Sequence, residues 1–325
     1  MRRRAEVGGP RLLGLIAALR SRPGFKSSPK WIVERGESRM NEPNTGQPLV
    51  QPRIGHGTQS SFPPPSDETG EDLSGAGAAT TAAPTPLPTP APAWAEVMNR
   101  YTTFMTNDLG GGPRPWKFAW VIDFQKIGTF PLLGFLIAWY HNTGTAAWVY
   151  LAMHGTYGLV WMIKDLAFPD PGWQRRITIM GGLFVFLGVL GWYWVFGWLL
   201  ISGVSRRAYP LPDNAWFCLC ISLCILGCVI MIAADAQKYF TLRVKRGLIT
   251  DGMHRYIRHP NYLGEMMIYG SFALMVWHWL PVVVLAWVWG GLFAVNMITK
   301  EARMSRHPGW ARYKQRSWWL LPPIL

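Results

Sequence analysis

The sequence predicts an all-α, multi-pass integral membrane protein with about six transmembrane helices, the last two forming a short helical hairpin. Three observations carry this. Composition changes near residue 115, polar or Pro-rich before it and almost continuously apolar after it. The apolar part contains segments long enough to cross a hydrocarbon core of about 30 Å. Cations collect between those segments on alternate connections, as they do when positive charge sets membrane topology.

Residues 1–40 form a basic leader, with ten Lys/Arg against Glu6, Glu34 and Glu37. Its piece RLLGLIAALR is a short basic amphipathic helix, too short to span. An Arg-rich, acid-poor start fits either an organelle transit peptide or a cytosolic tail that touches a membrane. Residues 41–115 read as a linker. The stretch to about residue 93 is rich in Pro, Thr, Ala, Gly and Ser and has too few large apolar residues to build a core.

The membrane domain is predicted over 116–325. Asp123, Gln125 and Lys126 interrupt the first apolar run, so its span is expected to begin near Ile127. Asp123 and Lys126 then serve as interfacial anchors or an ion pair. A second span covers 145–163, a third 177–204 and a fourth 215–234. Segments 265–279 and 282–298, broken by HWLP, are each barely long enough to cross; they are two thin spans or a re-entrant hairpin. Alternating parity places nineteen cations on one side and only Arg206 and Arg207 on the other. Both termini then face the cytosol or its equivalent. This placement, despite a net charge of +14, assigns the basic residues to a bilayer partner and argues against nucleic acid. Cys218, Cys220, Cys224 and Cys228 all lie in the fourth apolar segment and read as small residues at a helix contact, not as a metal or disulfide set.

The densest chemistry is DGMHRYIRHPNYLGE, residues 251–265. Ionisable groups at a membrane helix entrance are expensive unless something charged uses them. Pro260 stops any preceding helix, which puts Asn261 and Tyr262 at a helix start, where free N–H groups favour anions. Glu265, in that first turn, either complements the helix dipole or belongs to the site. Topology brings this run beside the basic tail, with Arg255, Arg258 and His259 on one wall and Lys300, Arg303 and Arg306 on the other. Such a lining suits phosphates or carboxylates, or else forms a solvated rim attracted to anionic headgroups.

A second constellation lies on the second span. His154, Tyr157, Trp161 and Lys164 are spaced three, four and three, so they share a helix face, flanked by Asp165. Polar groups at that depth must face protein or a cavity. They either hydrogen-bond between helices or act on a substrate, with Tyr157 or His154 protonating a lipid.

RYIRHPNYLGE resembles the signature of intramembrane steroid and sterol reductases and of the related isoprenylcysteine carboxyl methyltransferases. The preceding AADAQKYFTLR is similar to the reductases' Gln-Lys stretch. The tail KEARMSRHPGWARYKQRSWWLLPPIL resembles the family's C-terminus, with an acidic residue, Trp-x-x-Tyr and a Leu/Ile-Pro ending. The resemblance covers roughly residues 178–325, with the cofactor-binding half expected at about 205–325. It implies that Lys238, Arg258, His259, Asn261, Tyr262, Glu301 and Tyr313 line a cofactor site, with Tyr262 at the reacting end and Arg255 and Glu265 beside it. Trp310 packs against that site or sits in an interfacial belt. Within the superfamily, Asn261 and the single acid Glu301 match the reductases. Lys238 and the arginines suit the phosphates of NADPH better than a sulfonium. The implied activity is NADPH-dependent reduction of a carbon–carbon double bond in a sterol-like or isoprenoid lipid. The alternatives are methyl transfer from S-adenosylmethionine to a membrane-borne lipid or prenylated substrate, and a non-catalytic lipid-binding scaffold. The tail is shorter than in sterol reductases and lacks their Arg-Asp-Glu run. The resemblance favours the endoplasmic reticulum, while the leader is compatible with a plastid or mitochondrial membrane. Oligomeric state is not encoded in any of these features.

Overall fold

The computed structural model describes residues 88–205 and 208–321. The leader, its amphipathic segment, most of the linker, and Arg206 and Arg207 fall outside the described residues. All six predicted apolar segments are helical. They are preceded by one helix within the range read as linker, α1 (Ala93–Asn107). It starts where the Pro-rich composition ends, and Trp94, Val97, Met98, Tyr101 and Phe104 recur at helical spacing just beyond that run.

The remaining helices are α2 (Phe118–Trp139), α3 (145–167), α4 (Ile179–Ile201), α5 (Asp213–Val244), α6 (Pro260–Val276), α7 (Trp279–Met304) and a short α8 (Trp310–Arg316). Four of them, α2, α4, α5 and α7, are long and apolar enough to cross a membrane on their own. The other two of the expected six depend on their neighbours. α3 carries His154, Lys164 and Asp165. α6 has 17 residues, a rise of about 26 Å, slightly under the hydrocarbon thickness.

Several boundaries differ from the sequence expectation. The first helix starts at Phe118, nine residues before Ile127, and contains Asp123, Gln125 and Lys126. Gln125 and Lys126 point into the bundle and are fully buried, so they do not interrupt the helix. Lys126 is therefore neither an interfacial anchor nor the partner of Asp123. The last two helices form a hairpin, turning within residues 277–278, but a longer one than expected. Trp277 in the left-handed conformation (φ 48°) ends α6, but α7 then runs 26 residues. Pro281 sits in the first turn of α7, where its missing N–H has no intrahelical partner to lose. His278 caps that turn, its Nδ1 accepting from Leu280 N–H at 3.2 Å.

α6 packs chiefly along α5. A Cβ on Gly264 would lie 2.6 Å from Gly227 O and from Met231 N, and one on Gly227 would meet Gly264 O at 2.6 Å. Backbones approach this closely only where side chains are absent. Cys220 and Cys224 are buried on the same helix, as small contact residues, and all four cysteines are free. The far end of α6 is tied down by Trp216 Nε1–H to Leu274 O (3.0 Å) and Tyr209 O–H to Met275 O (2.8 Å). A second close approach joins α3 to α2, where a Cβ on Gly158 would meet Lys126 O at 2.1 Å.

The ends that the charge pattern put on one side are found together. An antiparallel strand pair, β1 (Trp116–Lys117) and β2 (Arg176–Ile177), joins the entrance of α2 to that of α4. Lys238 reaches Asp170 at 3.0 Å and Arg258 reaches Glu301 at 2.5 Å. A parallel bridge pairs Ile257 with Trp318.

Gly264→Val should lower the melting midpoint sharply, because the new methyls meet backbone and overpacking of this kind costs about 1–3 kcal/mol. Gly134→Ala, where nothing lies within 4 Å of the added Cβ, should not lower it. Intrinsic-tryptophan melting in detergent compares the two.

Candidate functional site

The site is assembled at the entrance of α6. His259 lies just outside the helix with φ −126°, and Pro260 occupies its first turn. That break points Arg258 and His259 toward the tail while Asn261, Tyr262 and Glu265 turn into the bundle.

Arg258 is buried, and two of its three guanidinium nitrogens are engaged. Nε donates to Glu301 Oε1 at 2.5 Å, and Nη1 donates to the carbonyls of Ser317 and, at 3.4 Å, Lys314. Trp318 N–H to Tyr256 O (2.7 Å) and Arg258 N–H to Trp318 O (2.8 Å) complete the bridge. Arg258 and Glu301 thus fasten the C-terminal segment to the entrance of α6. His259 Nε2 lies 3.5 Å from the same Glu301 oxygen without a well-formed hydrogen bond. Tyr313 O–H donates to His254 O at 2.7 Å, so it too braces the tail. Trp310 is buried, with the Arg258 guanidinium 6.0 Å from its ring, and is a packing residue, not part of a belt. Arg255 is exposed, with its guanidinium over the Tyr256 ring. Arg303 and Arg306 are exposed as well and face α1, so the second wall reduces to Lys300.

Lys300 donates to Tyr262 O–H at 3.0 Å. Asn261 and Glu265, one turn apart on the same helix, are half-buried, and neither side chain has a hydrogen bond or ion pair among the described residues. Lys238 pairs with Asp170, and the neighbouring Gln237 holds the loop before the site. Its Oε1 accepts from Met253 N–H at 2.8 Å and its Nε2 donates to Asp251 O at 3.1 Å. Gly252, at φ +52°, leaves no room for a Cβ against Gln237.

Deeper in the bundle the α3 stripe is buried as its spacing predicts. Lys164 forms an ion pair with Asp235 of α5 at 2.5 Å, with Trp161 and Trp173 stacked beside it at 4.8 Å. The Tyr157 and Tyr269 hydroxyls lie 3.4 Å apart, and Lys126 Nζ donates to Tyr269 O–H. Lys126 Nζ also stands within 6 Å of the ring centres of Tyr157, Trp161, Tyr193 and Tyr269. His154 is fully buried, stacked on Phe272 at 4.2 Å, with Nδ1 3.0 Å from Tyr150 O–H and Nε2 unpartnered among the described residues. The hydroxyl chain reaches Tyr157 but not His154. An apolar groove of about 590 Å³ lies between α5, α6 and α7, lined by Leu223, Met266, Gly270, Leu274, Trp277 and Trp289.

Sequence reasoning missed four members of this arrangement: Asp235, Asp170, Tyr269 and the interior position of Lys126. Tyr269 carried a signal, since Tyr262, Glu265 and Tyr269 share the i, i+3, i+7 face of α6. Asp235 and Asp170 carried none, because their partners lie on other elements.

The family described as "Protein of unknown function (DUF1295)" matches residues 115–317, which takes in every helix from α2 to α8. The chain belongs to this family. The family is part of the steroid 5-alpha reductase/isoprenylcysteine methyltransferase-like membrane superfamily, in line with the resemblance of residues 178–325. The family match also extends forward over α2 and α3, and so includes Lys126 and the stripe, while α1 lies outside it. A stretch of 114 residues is 29% identical to "Uncharacterized protein C7D4.09c" of Schizosaccharomyces pombe, covering 34% of this chain and 40% of that protein. No solved structure matches the chain.

Burial holds the His259 imidazole below its ordinary value of 6.5 despite the opposing pull of Glu301. Burial, followed by the nearby His259, pushes His254 down to about 4. Unfolded histidines take up protons below pH 6.5 that the folded ones refuse, so stability should fall as pH drops from about 6.5 toward 4. His254→Asn should flatten part of that slope. Melting midpoints of both proteins across this range test it.

Proposed function

We propose that the protein is a membrane-embedded, NADPH-dependent reductase of a carbon–carbon double bond in a sterol-like or isoprenoid lipid. One observation carries the reading: a chain of proton-bearing groups, Lys126–Tyr269–Tyr157, buried beneath a polar entrance. Reduction of an alkene needs a hydride at one carbon and a proton at the other. Methyl transfer to a carboxylate, thiol or amine needs no acid at that depth. NADPH, when bound, supplies the hydride.

The residues present fit such a cofactor in two places. Asn261 and Glu265 offer unpaired polar groups, and Lys300 with Tyr262 supplies an ammonium and a hydroxyl facing them. Phosphates would meet the exposed cations Arg243, Lys245, Arg246 and Arg255 at the rim. Arg258, His259 and Glu301 act by fixing the α6 entrance and the tail, and Lys238 by its pair with Asp170.

Tyr157 donates its proton to the substrate carbon. The phenolate left behind accepts from Tyr269 O–H, whose oxygen is backed by the Lys126 ammonium. In a medium of low dielectric such a preorganised donor is worth far more than in water. A proton taken up through the polar entrance restores the phenol. Tyr157 is 1% exposed, so a lipid reaches it only when α3 and α6 part.

Micromolar NADPH should raise the melting midpoint of the purified protein, and S-adenosylhomocysteine should not. Protection by S-adenosylhomocysteine alone assigns methyl transfer, and protection by neither assigns a scaffold. Asn261→Ala should weaken NADPH protection. Tyr157→Phe and Lys126→Met should leave that protection intact while lowering turnover by about 10²–10⁴.

A further inference from the structure

α1 has three faces. Ala95 is buried where the helix packs on α4 and α7. Trp94, Val97, Tyr101 and Phe104, spaced three, four and three, form an exposed apolar row, each more than half exposed. Glu96, Asn99 and Arg100 lie along a third side.

The two ends of α1 fix its direction. Before its start, Thr89 N–H donates to Ser305 Oγ at 3.0 Å, at the exit of α7. At its finish, Asn107 O accepts from Thr178 N–H at 3.1 Å, at the entrance of α4, and a Cβ on Gly181 would meet Thr106 O at 2.1 Å. Both anchor points belong to the basic end of the bundle. A 15-residue helix, about 22 Å long, strung between two points at one level lies across the membrane surface instead of through it.

A polar groove of about 350 Å³ runs between residues 88–91, α1 and the exit of α7. Arg100, Arg303 and Arg306 line it, against Glu96 alone. Among the described residues Arg303 and Arg306 make no side-chain hydrogen bond or ion pair, and Arg100 comes no nearer than 4.0 Å to Glu96. Three cations on so small a rim call for a phosphate.

We propose that α1 is an in-plane membrane anchor with an anionic phospholipid site: its apolar row sits at the headgroup boundary and the arginine groove takes the lipid phosphate. Aromatic rings with polar edges suit that boundary, and basic groups beside it suit anionic lipid. The occupant is the bilayer that α2, α4, α5 and α7 already hold at this level, so no further partner has to be recruited.

The full-length protein in nanodiscs tests this with a bimane probe at Val97→Cys in a Cys218→Ser background, and a control at Glu96→Cys. Headgroup spin-labelled lipid should quench the Val97 site several-fold more than the Glu96 site, and aqueous iodide should do the reverse. Equal iodide quenching at both sites overturns the anchor. So does shielding of Val97 from both reagents, the result expected if protein covers it. In detergent, phosphatidylglycerol should raise the melting midpoint by several degrees where phosphatidylcholine and inorganic phosphate do not. Arg303→Gln with Arg306→Gln should abolish that shift and leave the midpoint in phosphatidylcholine unchanged. An equal shift from inorganic phosphate overturns the lipid assignment, and no shift overturns the site.

Discussion

A lysine with its amino group inside a membrane bundle shapes much of this architecture. Charge at that depth is tolerated only where other polar or aromatic groups replace water. Lys126 is surrounded by Tyr269 and by the faces of Tyr157, Trp161 and Tyr193. Supplying those groups requires α3, α4 and α6 to converge on α2. Gly158 permits the closest of these approaches, because any side chain there would collide with the Lys126 backbone.

The same requirement orders the rest of the interior. Lys164 is neutralised by Asp235, and Lys238 by Asp170. Each pair joins α5 to α3 or to the loop following it, so the electrostatics that satisfy the charges also fix α5. α6 is then seated against α5 through Gly227 and Gly264. At the entrance, Arg258 spends its donors on Glu301 and on tail carbonyls. The tail is thereby closed over the start of α6, and the side chains of Asn261 and Glu265 are left without a hydrogen bond or ion pair among the described residues. Unsatisfied polar atoms beside a braced helix entrance are the pattern expected where a ligand completes the structure, and this underlies the proposed cofactor site.

Much of this was legible in the sequence, and the exceptions share a cause. The His154, Tyr157, Trp161, Lys164 face followed from spacing alone. Pro260 was enough to place Asn261 and Tyr262 at a helix start, and loop charge was enough to gather the basic ends. What local pattern could not show was orientation. Lys126 beside Asp123 looks like an interfacial pair until the neighbouring helices turn it inward. Arg258 looks like a phosphate clamp on its own, while in the fold Glu301, 43 positions away, takes its Nε. Pro281 looks like a break until the helix is found to begin only two residues earlier.

The proposed lipid reduction rests on the buried tyrosine pair and on the family relationship. Isotope transfer reports on that chemistry whatever the identity of the lipid. The purified protein would be incubated with membrane lipid extract and NADPH carrying deuterium at the transferable position, and the lipids followed by mass spectrometry. Lipid reduction at Tyr157 predicts a product carrying one deuterium, absent from the Tyr157→Phe variant. Transfer of a labelled methyl group from S-adenosylmethionine in its place, or a deuterated product undiminished in that variant, would contradict it.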